Sequence, residues 1–214
     1  MARRIALRTL QADATRHWLR TDAVLGRLSQ DTPLPRPPLE PADAFSALVE
    51  SITHQQVSLA AGRSIHARLV AAVGGATTPE GVAHAGFDRL RGAGLSRSKA
   101  TYVLDLAQKT MSGAVELQKF GRMEDEDIIA ELTAVKGIGV WTAKMFLIFH
   151  LRRPDVSCPE DLGLRLAVKR FYRVSEARAA DVMRRKAPAW APYNSVANLV
   201  LWAARRDAGQ PPSP

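Results

Sequence analysis

Apolar residues recur along most of the chain at intervals of three and four, the spacing that gathers side chains on one face of a helix. No stretch alternates strictly enough to make a convincing strand. Phe45, Leu48, Val49 and Ile52 set the pattern and predict a helix over roughly 42–55, with Pro41 suited to a first helical turn. A second helix runs from Ser58, an N-cap residue, through Ile65, Leu69 and Val73 until Gly74 and Gly75 stop it. Thr78, Pro79 and Glu80 open a short helix by the same capping logic, and Gly92-Ala93-Gly94 breaks the chain before Ser96. Ala100, Val103, Leu104 and Ala107 mark a helix ending near Gly113. The acidic run Glu124 to Asp127 then opens another, carrying Ile128, Ile129, Leu132 and Val135, with its charge placed to suit the helix dipole. Helices around 160–172, 175–186 and 193–206 complete an all-α class.

Between Asp31 and Pro41 stand five prolines (Pro33, Pro35, Pro37, Pro38 and Pro41), which predict a stiff extended connector behind one N-terminal helix. The Pro-rich C-terminal end is expected to lack order. A chain of 214 residues can bury a sizeable core as one domain or two packed helical halves.

Lys and Arg number 30 against 21 Asp and Glu, a formal charge of +9 that fits a polyanionic partner, nucleic acid or an anionic membrane, as well as an ordinary solvated basic surface. The single cysteine, Cys158, excludes an internal disulfide, a CxxC zinc site and a four-cysteine iron–sulfur cluster, and fits a reducing intracellular setting. Neither a signal peptide at the basic N-terminus nor a bilayer-spanning segment is evident, so the expected location is the cytoplasm.

The most informative stretch is Leu132-Thr-Ala-Val-Lys-Gly-Ile-Gly-Val-Trp-Thr-Ala-Lys144, where two glycines one residue apart separate two apolar-patterned helices. Gly137 and Gly139 can both take positive φ and let a phosphate approach exposed amides at a helix start, while Ile138 tucks inward to pin the helices. An ordinary tight helix–helix turn would use the same residues. Asp161, in Pro159-Glu160-Asp161, lies 24 residues past Gly137 at the start of a helix, where a carboxylate also complements the dipole.

Taken with that Pro-x-Asp, the hairpin resembles the helix-hairpin-helix (HhH-GPD) DNA glycosylase superfamily, and in particular its 3-methyladenine DNA glycosylase II branch. Ile52-Thr-His-Gln-Gln-Val-Ser58 is similar to the segment carrying the side chain wedged into DNA, with Gln56 at that position. Gly94-Leu-Ser-Arg-Ser-Lys-Ala100 and the stretch from Trp190 through Trp202 are similar to further family segments, so that the likeness covers about residues 42–205. The chain departs from the family in having Lys136 where a proline is usual before the first hairpin glycine.

The resemblance implies two helical subdomains, 42–154 and 1–41 with 155–214, with the active site in the cleft between them. It implies a monofunctional glycosylase of base excision repair, acting as a monomer on double-stranded DNA that contains alkylated bases. Asp161 would be the catalytic carboxylate, Trp141, Met145 and Trp202 the pocket for an electron-poor base, and Gln56 the wedge. DNA-backbone contacts would come from Lys136, Gly137, Ile138, Gly139, Lys144 and Lys99. The family holds a monovalent cation, Na or K, on hairpin carbonyls that correspond to Thr133, Val135 and Ile138; no other cofactor is required. Members that nick the abasic strand carry a Schiff-base lysine where this chain has Trp141. Other readings left open are a non-enzymatic helix-hairpin-helix DNA-binding module and a glycosylase for other damaged bases.

Overall fold

A computed structural model describes residues 7–34 and 43–207. After a 3-10 turn at Leu7–Leu10 come α1 (Gln11–Thr21), α2 (Ala23–Asp31), α3 (Ala44–His54), α4 (Leu59–Ala72), α5 (Pro79–Gly92) and α6 (Arg97–Met111). A 3-10 turn at Leu117–Lys119 leads to α7 (Asp125–Thr133) and α8 (Val140–Met145), which passes into a π-helical turn, Phe146–Leu151. The chain ends in α9 (Leu162–Phe171), α10 (Glu176–Trp190) and α11 (Asn194–Asp207). No strand occurs among the described residues, and the class is all-α as the periodicity predicts. None of their helices is long and apolar enough to cross a membrane. Most of the proline-rich connector, Pro41 and the C-terminal end lie outside the described residues.

The capping residues act where the sequence places them. Ser58, Thr78 and Ser96 accept the amides of Ala61, Gly81 and Lys99 at 3.3, 3.0 and 3.2 Å, each satisfying a donor that the first helical turn would leave unpaired. Helix α3 starts at Ala44, behind an Asp43 cap whose Oδ1 accepts the Ser46 amide at 3.0 Å.

The described residues form two compact units. One holds residues 43–146, around Leu48, Ile52, Leu69, Leu106, Phe120 and Ile128. The other holds 7–34 and 147–207, around Trp18, Leu25, Leu164, Val168, Trp190 and Val200.

In the second unit the single expected N-terminal helix is two, broken at Asp22. The Asp22 amide closes α1 on the Trp18 carbonyl at 2.7 Å, and its Oδ1 accepts from the Leu25 amide, at 3.3 Å, to start α2. Its Oδ2 takes the Tyr172 hydroxyl and the Trp190 indole N–H, both at 2.9 Å, with the Lys186 ammonium at 3.2 Å. A buried carboxylate is tolerable only with such a full set of donors.

Burial, then the Asp22 charge and hydrogen bond, push the Tyr172 phenol far above the usual tyrosine value of 10.0. Above pH 10 the unfolded chain therefore releases a proton that the folded chain keeps, and stability falls by about 1.4 kcal/mol per pH unit from this group. Tyr172→Phe is expected to cost about 1 kcal/mol near neutral pH and to flatten that alkaline decline. Urea unfolding on both sides of pH 10 checks it; an unchanged alkaline slope would contradict the assignment.

Candidate active site and nucleic-acid interface

The hairpin lies in the first unit. Helix α7 ends at Thr133, the Val135 amide bonds the Leu132 carbonyl at 3.1 Å, and the Ile138 amide bonds that of Val135 at 3.1 Å. Ile138 is 4% exposed and pins the turn as expected, whereas Lys136, Gly137, Gly139 and Val140 are exposed. Gly137 adopts φ +79°, and a Cβ there would stand 2.1 Å from the Tyr102 ring. Gly139 does not share this need: it is extended, at φ −93° and ψ 173°, with open space where a Cβ would point. Of the two glycines expected to use positive φ, only the first does, because one left-handed residue is enough to reverse the chain before α8 begins.

The Lys136 amide is taken by Asp105 Oδ2 at 2.8 Å, which leaves its exposed side chain, not its N–H, to face solvent. Burial alone would raise the Asp105 carboxyl. Its hydrogen bonds from Lys109 and the Lys136 amide, with the charges of both lysines, hold it below the usual carboxylate value.

On α8, Trp141 is 42% exposed and Met145, one turn on, is half-buried, as is Lys144. At the α3–α4 turn Gln56 is exposed with φ +53°, and its neighbour Gln55 donates from Nε2 to the Gly137 carbonyl at 3.0 Å. The expected wedge and the hairpin are thus adjacent. Lys99 is not a surface cation: it is half-buried, its ammonium bonds the Thr53 carbonyl at 2.8 Å, and burial lowers its pKa.

Asp161 lies in the second unit, 8% exposed, as the N-cap of α9. Its Oδ1 accepts the Leu164 amide at 2.7 Å and the Trp202 indole N–H at 2.9 Å. The structure thus brings together two residues expected to serve the base site. Gly163 makes this possible, since a Cβ there would press on Asp161 Oδ1 at 3.1 Å and on the indole at 3.3 Å. Phe149, from the π-helical turn, stacks on Trp202 with centroids 5.8 Å apart and planes 22° apart, and is 55% exposed.

The loop before Asp161 is tied to the start of α11. Asp155 accepts the Asn194 amide at 3.0 Å, the Ser195 hydroxyl takes the Val156 amide at 3.0 Å, and Asn198 donates to the Val156 carbonyl at 2.9 Å. Asn194, Ser195 and Asn198 are all buried.

The profile of the HhH-GPD superfamily, described as base excision DNA repair proteins, matches residues 49–192. The chain belongs to this superfamily. A Bacillus subtilis protein named provisionally as a DNA-3-methyladenine glycosylase is 33% identical over 165 residues, which are 74% of this chain and 58% of that protein, so this chain spans little more than half of that relative. The crystal structure of a Bacillus halodurans DNA-3-methyladenine glycosidase is 33% identical with a TM-score of 0.81, covering 90% of this chain and 88% of that one. A Schizosaccharomyces pombe 3-methyladenine DNA glycosylase, solved in complex with abasic DNA, is 26% identical with a TM-score of 0.68, covering 89% and 95%.

For this HhH-GPD protein, sequence reasoning missed Phe149, Gly163 and the anchors Asn194, Ser195 and Asn198. The anchors did leave a signal: three polar residues at positions i, i+1 and i+4 of a segment, 194–204, that is otherwise apolar mark a polar stripe on its buried side.

Proposed function

We propose that the protein is a monofunctional DNA glycosylase that removes alkylated bases of the 3-methyladenine type from double-stranded DNA, with Asp161 as its catalytic carboxylate. The observation that carries this reading is the buried Asp161 bonded to an aromatic side chain, Trp202. The DNA-3-methyladenine glycosylase names of the relatives support it.

The target nucleotide is flipped out at a cost of a few kcal/mol, least for a damaged base, while Gln56 fills the vacated stack. In the second unit Trp202, beside Asp161, offers an electron-poor base a stacking face; in the first, Trp141 and Met145 are aromatic and polarisable side chains of the kind such a base takes. As the C1′–N bond breaks, its electron pair leaves with the base and neutralises the positive charge of alkylation, so no general acid is needed. The sugar becomes oxocarbenium-like, and the Asp161 carboxylate stabilises charge that exists only near the transition state. Water then attacks C1′ and passes its proton to Asp161, leaving an abasic site.

Lys136, Lys144 and the hairpin backbone serve as phosphate contacts. The carbonyls of Thr133, Val135 and Ile138 are neutral oxygens of the kind a hard monovalent cation takes, and that of Thr133 stands at the negative end of α7. Such an ion would add positive charge toward a phosphate.

With Trp141 where a Schiff-base lysine would stand, strand breaks in treated DNA are expected only after alkali, and borohydride should trap no covalent adduct. A borohydride-stable adduct would replace this reading with that of a glycosylase-lyase.

A further inference from the structure

One face of α6 underlies both the wedge turn and the hairpin. Lys99, Tyr102 and Asp105 are spaced by three residues along it. Tyr102 packs where a Cβ on Gly137 would go, and Asp105 accepts the Lys136 amide at 2.8 Å. Lys99, in the first turn of α6, sits at the positive end of its own helix, an unfavourable place for a cation. Its ammonium reaches instead to the Thr53 carbonyl, in the last turn of α3, where the helix end is negative. Gln55 follows directly and donates to the Gly137 carbonyl at 3.0 Å, across 82 residues of sequence. Immediately after these two ties Gln56 holds φ +53°, a strained region for a residue with a Cβ that persists where the surroundings over-determine it.

We propose that Lys99 and Gln55 are positioning residues that lock the turn carrying Gln56 to the hairpin, so that phosphate gripping and wedge insertion move as one rigid piece. The inference rests on the reading of Gln56 as the wedge. Neither positioning residue need touch DNA.

The test uses a duplex with one N-methylated base beside a 2-aminopurine, whose fluorescence rises when the stack opens. Lys99→Met and Gln55→Leu are each expected to slow that rise on the order of tenfold, the loss of one well-placed hydrogen bond. DNA affinity and its salt slope should stay at the wild-type level, and Lys99→Arg should recover most of the rate. A salt slope reduced by about one in Lys99→Met, with opening unchanged, would make Lys99 a phosphate contact and overturn the proposal. Gln56→Ala separates the two levels. Opening lost there but intact in Lys99→Met and Gln55→Leu overturns the locking role alone, whereas opening intact in Gln56→Ala overturns the wedge reading beneath it. Should Lys99→Met melt early, Gln55→Leu, on the half-buried turn, carries the test.

Discussion

Gly137→Ala is expected to unseat the hairpin. Two costs combine: an L-residue at φ +79° is disfavoured by about 1–2 kcal/mol, and a Cβ 2.1 Å from the Tyr102 ring forces the kind of overpacking that typically costs about 1–3 kcal/mol. The nearby Tyr102 Cγ, at 2.4 Å, lies at the root of the ring, so rotating the ring's far end gives no relief. A loss of about 3 kcal/mol in a chain of 214 residues corresponds to a melting point lower by roughly 6–12 °C. Displacing the hairpin's phosphate contacts should weaken DNA binding more than tenfold, and because the Gly137 carbonyl also accepts from Gln55, the same movement should disturb the wedge turn and slow stack opening. Gly139→Ala is the internal control. Its extended backbone and open surroundings predict a stability change within about 0.5 kcal/mol. Differential scanning calorimetry of the two variants decides; equal destabilisation by both would show that the Tyr102 contact is not what shapes the turn.

Asp161→Asn is expected to cut base release by about 10²–10³-fold while leaving the fold and DNA affinity in place. Asparagine serves as well as aspartate at an N-cap. Its Oδ1 can still accept the Leu164 amide and the Trp202 indole N–H, so the substitution removes charge and little else. A structural role would therefore predict near-normal activity in Asp161→Asn and loss of melting temperature in Asp161→Ala. A catalytic role predicts the fall in both, with binding of an uncleavable abasic duplex unchanged. A parallel fall of binding and activity would favour a non-enzymatic DNA-binding module.

Much of this was legible because it is local. Helix starts follow from Ser58, Thr78 and Ser96, each followed by a periodic apolar face, whereas Asp161, expected in the first turn of its helix, stands just ahead of it as the N-cap. What escaped depends on partners distant in the chain. Asp22 reads as an ordinary polar residue in a helix, yet it divides α1 from α2 because Tyr172 and Trp190, 150 and 168 residues away, supply its donors. Pro188 argues for a helix ending near Lys186, but α10 runs on to Trp190, whose burial outweighs the lost hydrogen bond. Lys99 carried the charge expected of a phosphate contact, and only the placement of α3 against α6 reveals Thr53 as its partner. Phe149 is one more apolar residue in an apolar run, and its stacking on Trp202 depends on the widened π-helical turn, which spacing at three and four does not anticipate.

The central claim is best tested by incubating the protein with duplex DNA methylated by an N-alkylating agent and measuring free bases in the supernatant by chromatography. Wild type is expected to release methylated purines with multiple turnovers, leaving alkali-labile sites in equal number, and Asp161→Asn to release almost none. If wild-type protein that binds the duplex releases no base from it, the assignment as an alkylbase glycosylase is wrong.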